Sequence, residues 1–312
     1  MPDSSPTPAA VPPDAVPPDA APPAAPTTSL VASLAPLSTP LAGLRVVTIA
    51  VNLPGPVAAA RLVDLGAQVT KVEPPVGDPM AQASQSAYAE LATGQEVVRL
   101  DLKDTADREQ LGSLLDGADL LITSSRPSAL DRLGLGWAQV HEAHPRLCVV
   151  AIVGSPSPDA EIAGHDLTYQ AAFGLLDPDT MPRVLQADLA GAERTVTEGL
   201  ALLVARATSG VGGFAEVALS SAAESMARSL RWGLTVPGGP LGGGNPAYGI
   251  YPAREGHVAV AALEPHFRAR LLESLEVDGS REAFTAAFAT RTASEWEAWA
   301  LERDLPLLAL RD

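Results

Sequence analysis

The stretch "LRVVTIAVNLPGPVAAARLVDLGAQVTKVEPP", from Leu44 to Pro75, decides the fold class of this chain. Its first residues are mostly apolar and rich in β-branched side chains, which predicts a buried strand over Leu44–Val51. Pro56 near the start of the next segment and Gly66 near its end favour a helix. The segment "QVTKVEPP" predicts a second strand that its prolines end. A strand, a helix and a second strand in this order are typical of a parallel sheet.

The same alternation of strands and helices continues along the first half of the chain. Strands are predicted at "EVVRLDL", "DLLITSS" and "RLCVVAIVGS", with the helical segments "ADREQLGSLLDGA" and "PSALDRLGLGWAQVHEAHP" between them. Right-handed crossovers then cover both faces of a mostly parallel sheet. We therefore expect an α/β fold, with a doubly wound, Rossmann-like large domain over residues 41–235.

A glycine- and proline-rich stretch, "VPGGPLGGGNPAYG" over residues 236–249, predicts a domain boundary. After it, "GIYPAREGHVAVAAL" is typical of a hairpin with "AREG" as its turn, and two helical stretches follow. These features predict a second, smaller α+β domain over residues 236–312.

Residues 1–40 differ from the rest of the chain. "MPDSSPTPAAVPPDAVPPDAAPPAAPTTS" repeats Val-Pro-Pro-Asp-Ala and contains no aromatic residue. Such a composition buries too little apolar surface to offset its ordering entropy. We expect a disordered tail rich in proline and alanine.

The chain is acidic, with a formal net charge of −16, and Lys71 and Lys103 are its only lysines. This balance argues against nucleic acid and against an anionic membrane as partners. Cys148 is the single cysteine, which excludes an internal disulfide and a cysteine metal cluster within one chain. No signal-peptide pattern and no apolar run of membrane-span length occurs, so we expect a cytoplasmic protein.

The dipeptide His165–Asp166, in "AGHDLTYQ", has three interpretations from the residues alone. It can supply acid–base groups, contribute to a metal site or lie in a structured turn. No third ligand follows at helical spacing, so we expect no metal. Asp166, Asp188 and Glu264 each also fit the plain start of a helix, where a carboxylate often caps the chain. The residues by themselves leave these alternatives open.

Several motifs, in order, resemble the family III CoA-transferases, which include carnitine dehydratase-like proteins and α-methylacyl-CoA racemases. The first motif is "LAGLRVVTIAVNLPGPVAAARLVDLGAQVTKVEPPVGDPM". It is followed at family spacing by "LDLKD", "RPSALDRLGLGWAQVHEAHPRL", "AGHDLTYQA" and "LQADLAGAERTVTEGLALLVARATSGVGG". The resemblance covers the chain from Leu41 onward, and it implies an enzyme that acts on an acyl-CoA thioester.

Two local features resemble the racemase branch of this family: the His of "GHD" and the Glu of "AALEPHF". The resemblance implies that His165 and Asp188 form a pair of bases, which Asp166 and Glu264 support. Racemising a 2-methylacyl thioester removes the proton next to the carbonyl and returns one on the opposite face. Histidine and a buried carboxylate suit this exchange of acid and base roles. In the transferase branch, Asp188 would instead be the nucleophile that takes the acyl group.

Negative charge develops on the thioester oxygen during this reaction and needs hydrogen-bond donors. Small residues follow Asp188, so we expect backbone amides at a helix start there to supply them.

The phosphates of CoA need cationic side chains or amide donors. The candidates are Lys71, Arg99, Lys103 and Arg126. We expect no cofactor beyond the CoA of the substrate. The chain departs from the family pattern at Pro74, where an Arg is common, and at "SPSPDAE", where a Gly-Gln-x-Gly-Pro turn is expected.

The stretch "ATGQEVVRLDLK" also lacks the basic residues of the family's Asn-Arg-Gly-Lys-Arg-Ser segment. A catalytically silent relative that serves as a scaffold or binding protein is a third alternative, favoured by these missing basic residues and by the short C-terminal segment. The resemblance also implies an interlocked homodimer. Family members usually run on past "DLPLLALRD", so this expectation leaves the dimer geometry open.

Overall fold

A computed structural model describes residues 39–311 of the chain. Thr39–Asp312 forms one compact unit. The tail predicted over residues 1–40 lies outside the described residues except for its last two positions, and its disorder stays a prediction.

The strands of the described residues form two sheets. They are β1 (Arg45–Thr48), β2 (Gln68–Glu73), β3 (Glu96–Arg99), β4 (Leu120–Thr123), β5 (Cys148–Val153), β6 (Phe214–Ala218), β7 (Tyr248–Pro252), β8 (His257–Ala261) and β9 (Leu307–Ala309). The first six pair in the order β3-β2-β1-β4-β5-β6, and every pairing is parallel. This is the order of a doubly wound Rossmann-like sheet, so the predicted fold class is confirmed.

Helices connect these strands and cover the sheets. They are α1 (Pro54–Asp64), α2 (Met80–Ala83), α3 (Gln85–Leu91), α4 (Thr105–Asp116), α5 (Pro127–Arg132), α6 (Trp137–Ala143), α7 (Asp166–Ala172), α8 (Gln186–Ser209), α9 (Leu219–Met226), α10 (Arg228–Arg231), α11 (Pro265–Leu275), α12 (Arg281–Phe288) and α13 (Ala293–Leu301). A short 3₁₀ turn, Asp159–Glu161, lies between β5 and α7.

The centre of the parallel sheet is buried on both faces, and its strands β4 and β5 are apolar at nearly every position. Successive residues face opposite sides, so Val46 belongs to the core beneath α1 and α8, and Val47 to the core beneath α4, α5 and α6. Both cores are built from aliphatic side chains. This sandwich fixes where the loops at the strand ends lie.

The antiparallel sheet β7-β8-β9 has a core of its own, which α11, α12 and α13 cover. Its β7–β8 pair is the predicted hairpin, with Ala253–Gly256 as the turn. The sequence missed β9, a three-residue strand that pairs with β8. Thr39–Asp312 forms one compact unit. The domain boundary predicted between residues 235 and 236 stays a prediction.

The segment "PSALDRLGLGWAQVHEAHP" forms two helices, α5 and α6, and not one continuous stretch. Gly134 lies between them with a positive φ of 73°, a conformation that ends α5 and that glycine adopts without strain. Within residues 39–311, no helix has both the length and the apolar character to cross a membrane.

Candidate active site

A crevice opens where the connections of the parallel sheet reverse direction, between the carboxyl ends of β1 and β4. Open α/β sheets bind their ligands at such a switch point. A cavity of about 270 Å³ lies here, and its walls include Asn52 after β1, Arg126 after β4 and Gly154 after β5. His165 and Asp188 complete it. The structure thus brings three sequence-predicted residues into one cavity.

His165 is the residue that precedes α7, in extended backbone conformation. Its N–H donates to Thr168 Oγ1 at 3.0 Å, and the Thr168 hydroxyl donates to the His165 carbonyl at 2.8 Å. These hydrogen bonds use the main chain of His165. They hold the backbone in place and leave the imidazole facing the cavity.

Asp166 is buried behind the cavity, at 4% exposure, and does not line it. Its carboxylate accepts the N–H groups of Ala187 at 2.7 Å and Asp188 at 3.0 Å. It also accepts from Gln170 Nε2, which donates to the Val184 carbonyl as well. Asp166 therefore caps α8 across the fold, whereas the alternative that it caps its own helix is wrong. It ties the helix of Asp188 to the helix that follows His165.

The same hydrogen bonds correct an expectation about the reaction. The amides at the start of α8 were expected to stabilise charge on a substrate oxygen. Those of Ala187 and Asp188 instead donate to Asp166. These two amides are engaged in the cap and are not free to donate to a substrate.

Asp188 is half-buried in the first turn of α8, whose N-cap position is Leu185. The alternative that Asp188 is a simple N-cap is therefore wrong. Burial raises its pKa most, the negative charge of Asp166 adds to the effect, and His165 opposes it. The result is a pKa of about 6. Such a carboxyl group is ionised at neutral pH and still basic enough to accept a proton.

The "SPSPDAE" loop forms one wall of the cavity, and two serine–glutamate pairs hold it in place. Glu161 accepts the N–H of Ser128 at 2.7 Å and its hydroxyl at 3.1 Å, and these bonds lower the pKa of Glu161. The N–H and hydroxyl of Ser157 donate to Glu216 at 2.8 and 2.7 Å. The "SPSPDAE" loop, which departs from the family pattern, thus has its own anchors.

A second cavity of about 240 Å³ adjoins the first, since Val51 and Ser125 line both. Its walls are mainly apolar, and Lys103 lines it. Arg126 in the first cavity and Lys103 in the second are thus the predicted CoA-binding residues that border a ligand-sized space.

Lys71 is a predicted CoA-binding residue, but its side chain lies inside the protein and not at a cavity. It is buried at 1% exposure, and its ammonium lies 2.6 Å from Asp78 and 3.0 Å from Glu73. Its charge is paired inside the protein, and it lines neither cavity, so we do not assign it to CoA. The pair has a structural role: Asp78 also accepts the N–H of Asn52 at 3.1 Å. That bond holds Asn52 at its positive φ of 71°, at the edge of the first cavity.

Arg99 and Glu264 also lie outside both cavities. The Arg99 side chain is exposed, with its Nε 4.0 Å from Glu73. Glu264 occupies the N-cap position of α11, and its side chain makes no capping hydrogen bond there. The structure does not bring either residue to His165 and Asp188.

Tyr169 lines the first cavity and was not predicted as a site residue. It follows His165 by four residues, a spacing that puts side chains on the same face of a helix. That spacing is the signal in the sequence by which it could have been found.

The chain was compared with known proteins and solved structures. A family model described as CoA-transferase family III matches residues 41–312. α-Methylacyl-CoA racemase of Mus musculus is 30% identical over 292 residues, which cover 82% of this chain and 74% of the relative. A "Probable fatty acyl-CoA transferase" of Mycobacterium tuberculosis is 31% identical over 205 residues, covering 60% of this chain and 52% of that protein.

A solved CaiB/BaiF family protein from Brucella suis has the same fold, with a TM-score of 0.74. It is 23% identical and covers 88% of this chain and 85% of its own. Its likeness supports the fold alone. The relatives in sequence are racemases and CoA-transferases, which are enzymes of one family. By the match over residues 41–312, this chain belongs to CoA-transferase family III.

Proposed function

We propose that this protein is an acyl-CoA racemase or epimerase that exchanges the α-proton of a 2-methylacyl-CoA thioester. The observation that carries the proposal is the pairing of His165 with Asp188 at one cavity, from the starts of two different helices. The cap that Asp166 forms on α8 holds these two helices together.

The mechanism needs one base and one acid on the two sides of the substrate carbon. In one direction, the Asp188 carboxylate takes the α-proton and leaves an enolate, and protonated His165 gives a proton to the other face. In the reverse direction the two residues exchange roles. The raised pKa of Asp188, about 6, lets its carboxyl group act both as an acid and as a base near neutral pH. No electrons are transferred, and one proton leaves for each that is returned.

The CoA part of the substrate has room beside this cavity. The second cavity adjoins the first at Val51 and Ser125 and offers apolar walls to a nucleotide base. Lys103 and Arg126 are the cations that border the two spaces and suit the phosphates. We propose no cofactor beyond CoA itself.

The second candidate is a CoA-transferase, which transferase relatives in this family support. Here the Asp188 carboxylate attacks the thioester carbonyl and releases CoA as its thiolate, which leaves a mixed anhydride on Asp188. The CoA thiolate then attacks the Asp188 carbonyl of the anhydride, which releases the first acyl group as a free carboxylate and leaves a CoA thioester on Asp188. The acceptor carboxylate attacks this thioester and forms a second anhydride as CoA leaves. CoA finally attacks the acceptor's carbonyl, which gives the new acyl-CoA and frees the Asp188 carboxylate. This reaction needs Asp188 but has no required proton transfer at the α-carbon.

The test is α-proton exchange. The protein is incubated with a 2-methylacyl-CoA in deuterated water, and deuterium incorporation is followed by mass spectrometry. We expect exchange by the wild type and a loss of about 10²-fold or more in His165→Ala and Asp188→Ala, since a positioned acid or base contributes about 10²–10⁴-fold. Exposed His257→Ala and Asp177→Asn are the matched controls, expected to retain full activity.

Other outcomes separate the alternatives. Acyl exchange between CoA and a free acid, without deuterium exchange, supports the transferase. If neither activity appears and no CoA binding is detected, both enzyme proposals fail and the silent relative remains. The cytoplasmic location and the homodimer are further proposals, and sedimentation velocity tests the dimer.

A further inference from the structure

The first cavity contains an aromatic hydroxyl whose position is set by two glycines. Tyr169 is 7% exposed and lies on α7. A Cβ at Gly154 would overlap its Oη atom, and a Cβ at Gly164 would lie 2.6 Å from Oη. Only glycine at both positions leaves room for the ring. The loop after β5 therefore closes around Tyr169 and holds it in one place.

The hydroxyl of Tyr169 is available to hydrogen-bond a ligand. Within residues 39–311, Tyr169 Oη has no hydrogen-bond partner, although it borders the cavity. Tyrosine hydroxyls in buried positions usually have a partner. Burial raises the pKa of Tyr169, and the nearby Asp188 raises it further. The group is consequently a protonated donor at neutral pH, and a ligand in the cavity can accept its hydrogen bond.

Several polar groups near the cavity have hydrogen bonds within the protein. The N–H groups of Ala187 and Asp188 donate to Asp166. Ser124 Oγ accepts the N–H of Val51 at 3.1 Å, which fixes that hydroxyl to the β1 loop. Arg126 is the candidate for a CoA phosphate. The Tyr169 hydroxyl is a neutral donor on the helix that follows His165, and it lines the same cavity as Asp188.

From this geometry we infer that Tyr169 is a catalytic residue that donates a hydrogen bond from Oη to the thioester carbonyl oxygen of the substrate. The inference rests on the proposed function. When a base removes the α-proton, negative charge moves to that oxygen, and the hydrogen bond strengthens as the charge develops. No bond to the tyrosine forms or breaks, and its proton stays on Oη. A donor already fixed in place costs no reorganisation during the reaction.

The first test is Tyr169→Phe in the deuterium-exchange assay. The variant keeps the ring between the two glycines and removes only the hydroxyl. We expect kcat to fall about 10²–10³-fold, the usual effect of removing one oxyanion donor, with little change in KM. Tyr248→Phe, a half-exposed tyrosine of β7, is the control and should be unaffected. An unchanged kcat in a folded Tyr169→Phe variant, with exchange by the wild type, overturns the role of Tyr169 and leaves the proposed function standing.

The second test needs no turnover. Calorimetry compares the binding of two CoA thioethers, one with a planar nitronate that mimics the enolate and one with an uncharged ketone at the same position. We expect Tyr169→Phe to weaken nitronate binding at least tenfold more than ketone binding. If the wild type catalyses no exchange but this difference is found, the proposed function fails and Tyr169 keeps its assigned contact. Equal losses for both ligands, or no nitronate binding by the wild type, overturn the inference.

Discussion

At the scale of single residues, the chemistry of this protein depends on how burial changes the pKa of one carboxyl group, that of Asp188. Asp188 lies half-buried beside Asp166, and both effects favour its protonated form. The folded protein therefore binds a proton at Asp188 more tightly than the unfolded chain does, between about pH 4 and about pH 6. Stability consequently falls as the pH rises through this window, because the group must ionise in an unfavourable place.

Asp188→Asn should remove this pH dependence. The amide cannot ionise, so the variant should gain in melting temperature over the wild type at pH 7.5 and lose most of that gain at pH 4.5. Differential scanning calorimetry at both pH values measures the difference, with exposed Asp177→Asn as the control. If the melting temperatures of Asp188→Asn and wild type differ by the same amount at both pH values, ionisation of Asp188 does not destabilise the folded protein.

At the scale of secondary-structure elements, the site depends on the junction of α7 and α8. Asp166, at the start of α7, and Asp188, in the first turn of α8, are 22 residues apart in the sequence. The buried carboxylate of Asp166 connects the two helices by capping α8. The cap satisfies amides that a helix start leaves without partners. The same carboxylate places a negative charge near Asp188. One residue thus serves both the stability of the junction and the proton affinity of the site.

Two substitutions of Asp166 separate these roles. Asp166→Ala removes the cap and should lower the free energy of unfolding by about 1–3 kcal/mol, measured in urea. Asp166→Asn keeps an acceptor oxygen but removes the charge, so it should cost less stability. It should also lower the pKa of Asp188 below its value of about 6.

The readout for the charge is the pH dependence of proton exchange in Asp166→Asn. The limb of the profile that reports ionisation of Asp188 should move to lower pH than in the wild type. A limb that stays in place, or moves to higher pH, would mean that the charge of Asp166 does not act on Asp188.

At the scale of the whole molecule, the two sheets have separate cores of different character. The parallel sheet is packed with aliphatic side chains, whereas the antiparallel sheet relies on aromatic rings. The ring of Phe288 lies 5.3 Å from that of Tyr251 and 5.2 Å from that of Trp296. Trp296 Nε1 donates to the Phe288 carbonyl at 2.8 Å. Phe288 is therefore central to the smaller core.

Phe288→Ala should lower the free energy of unfolding by about 3–5 kcal/mol, since it leaves a large cavity in a packed aromatic core. Tryptophan fluorescence reports the transition, because Trp296 and Trp299 lie in this core. Leu301→Ala, at a position that is 83% exposed, is the control and should change stability by about 0.5 kcal/mol or less. A cost below that of the control would contradict the assignment of Phe288 to the core.

The parallel sheet could be predicted because the sequence patterns that specify its strands and helices are local. Short apolar runs alternate with helical segments, and prolines and glycines mark their ends, as at Pro56 and Gly66. The break between α5 and α6 and the strand β9 were harder to predict from the sequence. Gly134 interrupts a helical pattern at one residue, and β9 has too few residues to show an alternation.

The sequence by itself determined the α/β class with a mostly parallel sheet, the family, and His165 and Asp188 as candidate site residues. Only the tertiary structure decided the settings of the charged residues. Lys71 is paired within the protein and lines neither cavity, and Asp166 caps a distant helix. Tyr169 faces the cavity with no hydrogen-bond partner for its hydroxyl among residues 39–311. The physical reason is that periodicity and turn chemistry act between neighbours in the chain. Burial and ion pairing depend instead on residues that meet only after folding.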